Sequence, residues 1–258
     1  MGKMKNLEDI LNGYKKICIA YSGGTDSDFL LNAAVKALGD NVIAIIANGA
    51  QLASKDFDDA VRLAKKAGVM YYTVEADVFK TEEFKHNRKD RCYHCKKNIM
   101  GGVLKKAEEL GFCVVADGKN LDDAGVYRPG AAAAEELGIV SPLYQAGFTK
   151  KDIREEAFRM GLETWDKASN SCLATRFPYD TLLTAENFSM VERAEKLIDD
   201  AGIKSGRVRL HGDIARIEMP REYFEAFMKD AVLIKKIKDI GFKYITLDLE
   251  GFRSGSMD

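Results

Sequence analysis

The sequence predicts an α/β protein: a doubly wound parallel sheet with helices on both faces, followed by a smaller C-terminal α+β domain. Three observations lead there. Short apolar runs rich in β-branched residues alternate with amphipathic stretches up to Trp165, the pattern of strands joined by crossover helices. A glycine turn links the first run directly to the first apolar-periodic stretch. Beyond Trp165 the chain turns polar and irregular, then resumes as one long amphipathic helix with short strands around it. The expected division is 1–174 and 175–258, the second part serving substrate binding or oligomerisation.

Taken in order, Lys16–Tyr21 reads as a buried strand and Ser27–Leu38 as a helix; Asn41–Ala47 is a strand, Ser54–Ala67 a helix and Met70–Val74 a strand. Gly102–Leu110 is helical, and Phe112–Ala116 is a strand that ends at Asp117-Gly118. Thr149, with its hydroxyl, is a plausible N-cap and Gly161, without a Cβ, the stop of a further helix. In the second part the expectations are a helix over Ala185–Asp200, strands over Arg207–Leu210 and Ile214–Met219, a helix over Arg221–Lys238 and a strand over Tyr244–Asp248.

Composition removes several function classes. With 39 Lys+Arg against 40 Asp+Glu the formal net charge is −1, which supplies no broad field for nucleic acid or a membrane surface. No apolar run approaches the ~20 residues that span a bilayer. Met1–Asp9 turns acidic where a secretory signal carries its apolar core, so a cytoplasmic location is expected. Five cysteines are too few for a disulfide scaffold. In a reducing compartment the Cys92-x-x-Cys95 pair points to metal or redox chemistry. Cys18 and Cys113 fall inside apolar runs and are expected to be inert core residues.

Tyr21-Ser22-Gly23-Gly24-Thr25-Asp26-Ser27 lies between a buried strand and a helix. Glycines there permit positive φ and a close approach of backbone N–H groups to a pyrophosphate, and the helix adds its positive end. The run lacks the Gly-Lys-Ser/Thr ending of γ-phosphate hydrolases. It resembles the PP-loop of ATP pyrophosphatases, enzymes of the adenine nucleotide alpha hydrolase-like fold that cleave ATP between the α and β phosphates and adenylate a substrate. Asp117-Gly118-Lys119-Asn120 ends a strand at the carboxyl edge of the same sheet, where ligands of open α/β sheets bind, although an Asp-Gly turn alone is unspecific.

Further segments narrow the resemblance: Arg91-Cys92-Tyr93-His94-Cys95-Lys96-Lys97, Tyr127-Arg128-Pro129-Gly130, Trp165-Asp166-Lys167, Ser171-Cys172-Leu173-Ala174-Thr175-Arg176-Phe177-Pro178 and Arg207-Val208-Arg209-Leu210-His211-Gly212-Asp213 through Glu218. In order and spacing, over nearly the whole chain, they are similar to the LarE family. That family's ATP-dependent sulfur transferases thiolate a pyridinium biscarboxylic acid mononucleotide on the route to the nickel-pincer nucleotide. Ala168 departs from the proline expected after Asp-Lys.

The resemblance implies adenylation of a substrate carboxylate with release of pyrophosphate, then displacement of AMP by sulfur. It implies ATP and Mg²⁺ as cofactors, with Ser22, Gly23, Gly24, Asp26, Ser27, Gly118 and Arg128 around the nucleotide. Asp26, Lys96, Arg176 and Cys172 are the expected catalytic residues, and Arg176, Arg207 and Arg209 the expected partners of substrate carboxylate and phosphate, for which guanidinium forks are suited. Members with a lone equivalent of Cys172 sacrifice its sulfur; members with three cysteines bind a 4Fe–4S cluster. This chain has Cys92, Cys95 and Cys172, so a cluster with one iron open to sulfide is expected. Zinc is the competing metal, with His86 or His211 as fourth ligand. The expected partners are a small mononucleotide and sulfide, with no membrane and no nucleic acid, and a homo-oligomer is expected. The rival readings are a tRNA thiolase or other PP-loop synthetase, a sacrificial-cysteine transferase using Cys172, and a non-enzymatic nucleotide sensor; His211 and Glu218 fit either substrate or surface.

Overall fold

The computed structural model describes residues 2–123, 129–168, 171–253 and 255–257. In chain order the elements are α1 (Lys3–Tyr14), β1 (Ile17–Ala20), α2 (Thr25–Leu38), β2 (Val42–Asn48), α3 (Ser54–Lys66), β3 (Met70–Glu75), α4 (Glu82–Lys85), α5 (Arg91–Glu109), β4 (Val115–Ala116), α6 (Pro129–Glu136), α7 (Pro142–Gln145) and α8 (Lys150–Arg159). There follow α9 (Ala185–Asp200), β5 (Arg207–His211), β6 (Ile214–Glu218), α10 (Phe224–Lys229), α11 (Ala231–Lys238) and β7 (Tyr244–Leu247). The chain divides into two compact units, 1–81 with 90–170 and 82–89 with 171–258.

The first unit is built on a parallel sheet in the order β3-β2-β1-β4. β1, β2 and β4 are buried on both faces, so successive residues serve different cores, whereas the edge strand β3 stays partly exposed. Ile17, Ile19, Val42, Ala44 and Ile46 pack with α1, α2, α3, α7 and α8, whereas Cys18, Ile43 and Ile45 pack with Met100, Val103 and Ala107 of α5. This is the doubly wound arrangement. Strand order reverses between β1 and β4, and the turns that leave those two strands flank the crevice where ligands of such sheets sit. The N-terminus of α8 carries the capping box expected of Thr149: its Oγ1 accepts from Asp152 N while its own N donates to Asp152 Oδ2 at 2.8 Å.

The second unit contains the sheet β5-β6-β7, antiparallel in the first pair and parallel in the second. Residues 82–89 join it because the fully buried Asn87 donates through Nδ2 to the carbonyls of Phe177 (3.1 Å) and Pro178 (2.8 Å). Phe84 packs edge-on against Phe188 of α9.

Several local expectations are corrected. The helix after the glycine turn, α2, opens at Thr25, two residues before Ser27, so Asp26 and Ser27 lie in its first turn. The Cys-x-x-Cys run belongs to α5, which starts at Arg91 and continues through Gly101 and Gly102. β4 is confined to Val115–Ala116, which leaves Cys113 outside the strand and exposed. The helix expected over Arg221–Lys238 breaks at Asp230, whose carboxylate accepts from Leu233 N at 2.8 Å and starts α11 afresh. Among the described residues no helix is long and apolar enough to cross a membrane.

Candidate active site

The turn after β1 is shaped by one glycine more than by two. Gly23 adopts φ +68, and a Cβ there would stand 2.8 Å from the Cα of Ala60 on α3. Only glycine meets both demands. Gly24 is the extended N-cap of α2 with φ −81, and an added Cβ would meet Ser22 Oγ at an ordinary 3.5 Å. The fold therefore does not require glycine at that position. Ser27 Oγ donates to Gly24 O at 3.0 Å and lies 3.1 Å from Ser22 Oγ, which closes the turn on itself. Backbone N–H groups at the start of α2, beside exposed Ser22, form the kind of nest that accepts phosphate oxygens.

The turn after β4 lies directly against this helix start. A Cβ on Gly118 would stand 3.0 Å from Ser27 N and 3.2 Å from Asp26 Cβ, so glycine permits the approach. Asn120, fully buried, donates through Nδ2 to Asp26 Oδ2 at 3.0 Å. Burial raises the Asp26 pKa above the ordinary carboxylate value and neighbouring Asp123 raises it further, against the opposing influence of Lys150, Asn120 and Arg154. Two carboxylates near a phosphate nest are the donor type that a hard divalent cation takes.

Asp28 was not singled out by sequence, where it reads as one more acid at a helix start. It is buried, and its carboxylate accepts from Tyr21 OH (2.8 Å), Thr164 Oγ1 (2.7 Å) and Asn32 Nδ2 (3.2 Å). Lys167 of the Trp-Asp-Lys segment donates to Gly23 O at 3.2 Å.

Cys92 and Cys95 occupy the first turn of α5, three residues apart and hence on one face. The positive end of the helix favours thiolate at that position. Cys92 is exposed and Cys95 half-buried. Lys96 is half-buried; desolvation of its ammonium lowers its pKa, while Asp117 and Cys95 draw it upward. His94 Nε2 lies 3.4 Å from Asp90 Oδ2. Gly130, which opens α6 after Pro129, packs against this turn, since a Cβ there would meet Cys92 O at 3.4 Å. Arg128 lies outside the described residues.

In the second unit Cys172, a half-buried free thiol, caps the short 3₁₀ turn Leu173–Arg176. Arg176 is buried and its guanidinium is turned inward: Nε and Nη2 donate to the two oxygens of Glu195 at 2.9 and 3.2 Å. Its Nη1 donates to the carbonyls of Ser171 and Cys172 at 2.9 and 3.2 Å. Arg209 is likewise buried; it donates to Glu218 Oε2 through Nε and Nη2 at 3.1 and 3.0 Å, and to Thr175 O at 3.0 Å. Glu218 also accepts from Arg216 (2.9 Å) and Ser256 (2.6 Å). Arg207 is half-exposed, its guanidinium 5.6 Å from the ring centroid of Phe252. Burial and then Arg216 lower the His211 pKa. Among the described residues no group of three His, Cys, Asp or Glu side chains stands at metal-holding distance.

A family model described as NAD synthase matches residues 5–103, the segment that carries the phosphate loop. The pyridinium-3,5-bisthiocarboxylic acid mononucleotide synthase of Lactiplantibacillus plantarum is 38% identical over 99% of this chain and 94% of its own length. An uncharacterized protein of Synechocystis is 36% identical over 99% of this chain and 97% of its own. A tRNA-specific 2-thiouridylase of Limosilactobacillus fermentum is more remote, 26% identical over 60% of this chain and 50% of its own length.

Proposed function

The chain belongs to the LarE family of PP-loop, ATP-dependent sulfurtransferases, and from that premise we propose that it adenylates and then thiolates a carboxylate of pyridinium-3,5-biscarboxylic acid mononucleotide. The observation that carries the reading is the phosphate nest at the Gly23–Ser27 turn, flanked by Asp26 and Gly118, in a chain matched end to end by a relative of that activity.

In the proposed first step a substrate carboxylate oxygen attacks the α-phosphorus of ATP and the α–β bridging bond breaks, so that pyrophosphate leaves. The Ser22–Ser27 backbone would receive the pyrophosphate, with Ser27 at a phosphate and Asp26 holding Mg²⁺, which offsets charge developing between anionic groups. In the second step sulfide forms the C–S bond, the acyl C–O bond breaks, and AMP departs. Arg207, Arg209 and Arg176 are the proposed partners of substrate anions; for Arg176 and Arg209 this requires exchange of a glutamate for the ligand.

The chemistry of three cysteines suits a 4Fe–4S cluster, because thiolates are its ordinary ligands and a helix N-terminal turn favours two of them. Cys92, Cys95 and Cys172 would hold it, and a cluster ligated by three cysteines supplies a site for exogenous sulfide. Lys96 would favour the anionic state of Cys95. The test is anaerobic iron and acid-labile sulfide analysis, with intact protein mass after repeated turnover. The reading expects iron and sulfide lost in each Cys→Ala variant and an unchanged protein mass. Conversion of Cys172 to dehydroalanine, with normal activity in Cys92→Ala, would replace it with the sacrificial mechanism.

A further inference from the structure

The segment Glu163–Lys167 is tied to the phosphate loop at three points. Thr164 Oγ1 donates to the buried Asp28 carboxylate at 2.7 Å, where the Tyr21 hydroxyl also ends. Thr25 Oγ1 donates back to Thr164 O at 2.6 Å. Lys167 Nζ donates to Gly23 O at 3.2 Å, with Asp59 and Asp56 farther off at 3.6 and 3.9 Å. The segment itself is secured from outside. Arg154 Nη2 donates to Lys167 O at 3.2 Å, and Glu163 receives Arg62 and Lys66 of α3 at 2.8 and 3.2 Å.

A trans peptide directs its C=O and N–H to opposite sides. Fixing the Gly23 carbonyl therefore fixes the direction of the Gly24 N–H, whose acceptor in the turn, Ser22 Oγ, is a long 3.4 Å away. A Gly-Gly peptide has little intrinsic preference between its two orientations, because neither residue carries a Cβ to bias it. Something outside the turn must choose. Lys167 is placed to do so, and Asp28 fixes the segment that presents it.

The geometry points to Lys167 as a positioning residue whose ammonium holds the Gly23–Gly24 peptide so that the Gly24 N–H is presented to the pyrophosphate of ATP, with Thr164 anchoring its segment on Asp28. This rests on the reading of Ser22–Ser27 as the pyrophosphate cradle. It differs from a surface ion pair with Asp59, which would contribute to stability alone and be indifferent to the ligand. Donors oriented before the ligand arrives cost no reorganisation on binding.

The test is calorimetric titration of the full chain with MgATP, magnesium pyrophosphate and AMP, for the wild type, Lys167→Met and Lys167→Arg, with thermal melting of each. Loss of one charge-assisted anchor should weaken ATP and pyrophosphate binding about tenfold, leave AMP binding unchanged, and be largely recovered in Lys167→Arg. Lys167→Ala, which removes the donor with less apolar bulk, carries the same test if Lys167→Met does not fold. Equal losses for ATP and AMP, or no loss for either, would overturn the assignment while the phosphate-loop reading stands. A wild type that binds AMP but neither ATP nor pyrophosphate would overturn both.

Discussion

At the carboxyl end of β1 the turn is lined by small groups: Gly23 touches α3, Gly24 presents backbone, the Ser22 and Ser27 hydroxyls meet each other, and the polar groups nearby are tied to Asp28 and Thr164. The small sheet of the second unit is filled the other way. Arg209 and Arg216 converge on the fully buried Glu218, and Arg176 meets Glu195 in a two-point contact. Folding leaves a backbone site open, because main-chain donors at a helix start have no intrahelical partners. A side-chain site with both signs of charge closes upon itself, since a buried charge without a partner is costly. On the proposed reading the first region takes an anion as it stands, whereas the second must exchange partners to take one.

The largest expected effect falls in the first region. Asp26→Ala should reduce pyrophosphate release by more than about a hundredfold, as removal of a group that organises transition-state charge does, while far-ultraviolet circular dichroism is unchanged. Unaltered release would remove Asp26 from the reaction.

Next comes the second region, where the effect should be on stability. Among the described residues, Arg209→Met leaves Glu218 with Arg216 and Ser256, and the loss should be roughly 3 kcal/mol for breaking a buried pair. A much smaller loss, read from urea unfolding, would mean that the pair opens readily and that Arg209 is available to ligand.

The two glycines sharpen the contrast within the first region. Gly23→Ala should cost roughly 1–3 kcal/mol from backbone strain alone, and its contact with the α3 backbone adds to that. Gly24→Ala should leave stability nearly unchanged yet weaken ATP binding. Equal effects at both positions would show that the turn treats them alike.

The smallest effect concerns pH. The folded-state pKa of Asp26 is raised, so its contribution to stability is fully present in acid and is lost as pH rises through that value. Asp26→Asn should therefore melt above the wild type at neutral pH without ligand, and the difference should vanish in acid. A difference that grows in acid would contradict the assigned cause.

The parallel sheet and the phosphate turn were legible because strand periodicity, glycine and chain direction are local signals. The arginine motifs were legible as cationic positions, but Glu195 and Glu218, which engage them, are separated from Arg176 and Arg209 by a helix or a hairpin, so their pairing is a tertiary fact. Asp28 gave no signal either: next to Asp26 it resembles an ordinary acid favouring a helix N-terminus. Cys113 misled because the apolar run around it is longer than the strand formed within it. Likewise residues 82–89 carry no mark of membership in the second unit; a buried asparagine amide decides it.

The most direct measurement is exchange of labelled pyrophosphate into ATP with the acceptor varied. Exchange that depends on pyridinium-3,5-biscarboxylic acid mononucleotide and disappears in Asp26→Ala is the predicted result. Exchange that requires tRNA instead, or none with any carboxylate acceptor, would contradict the account.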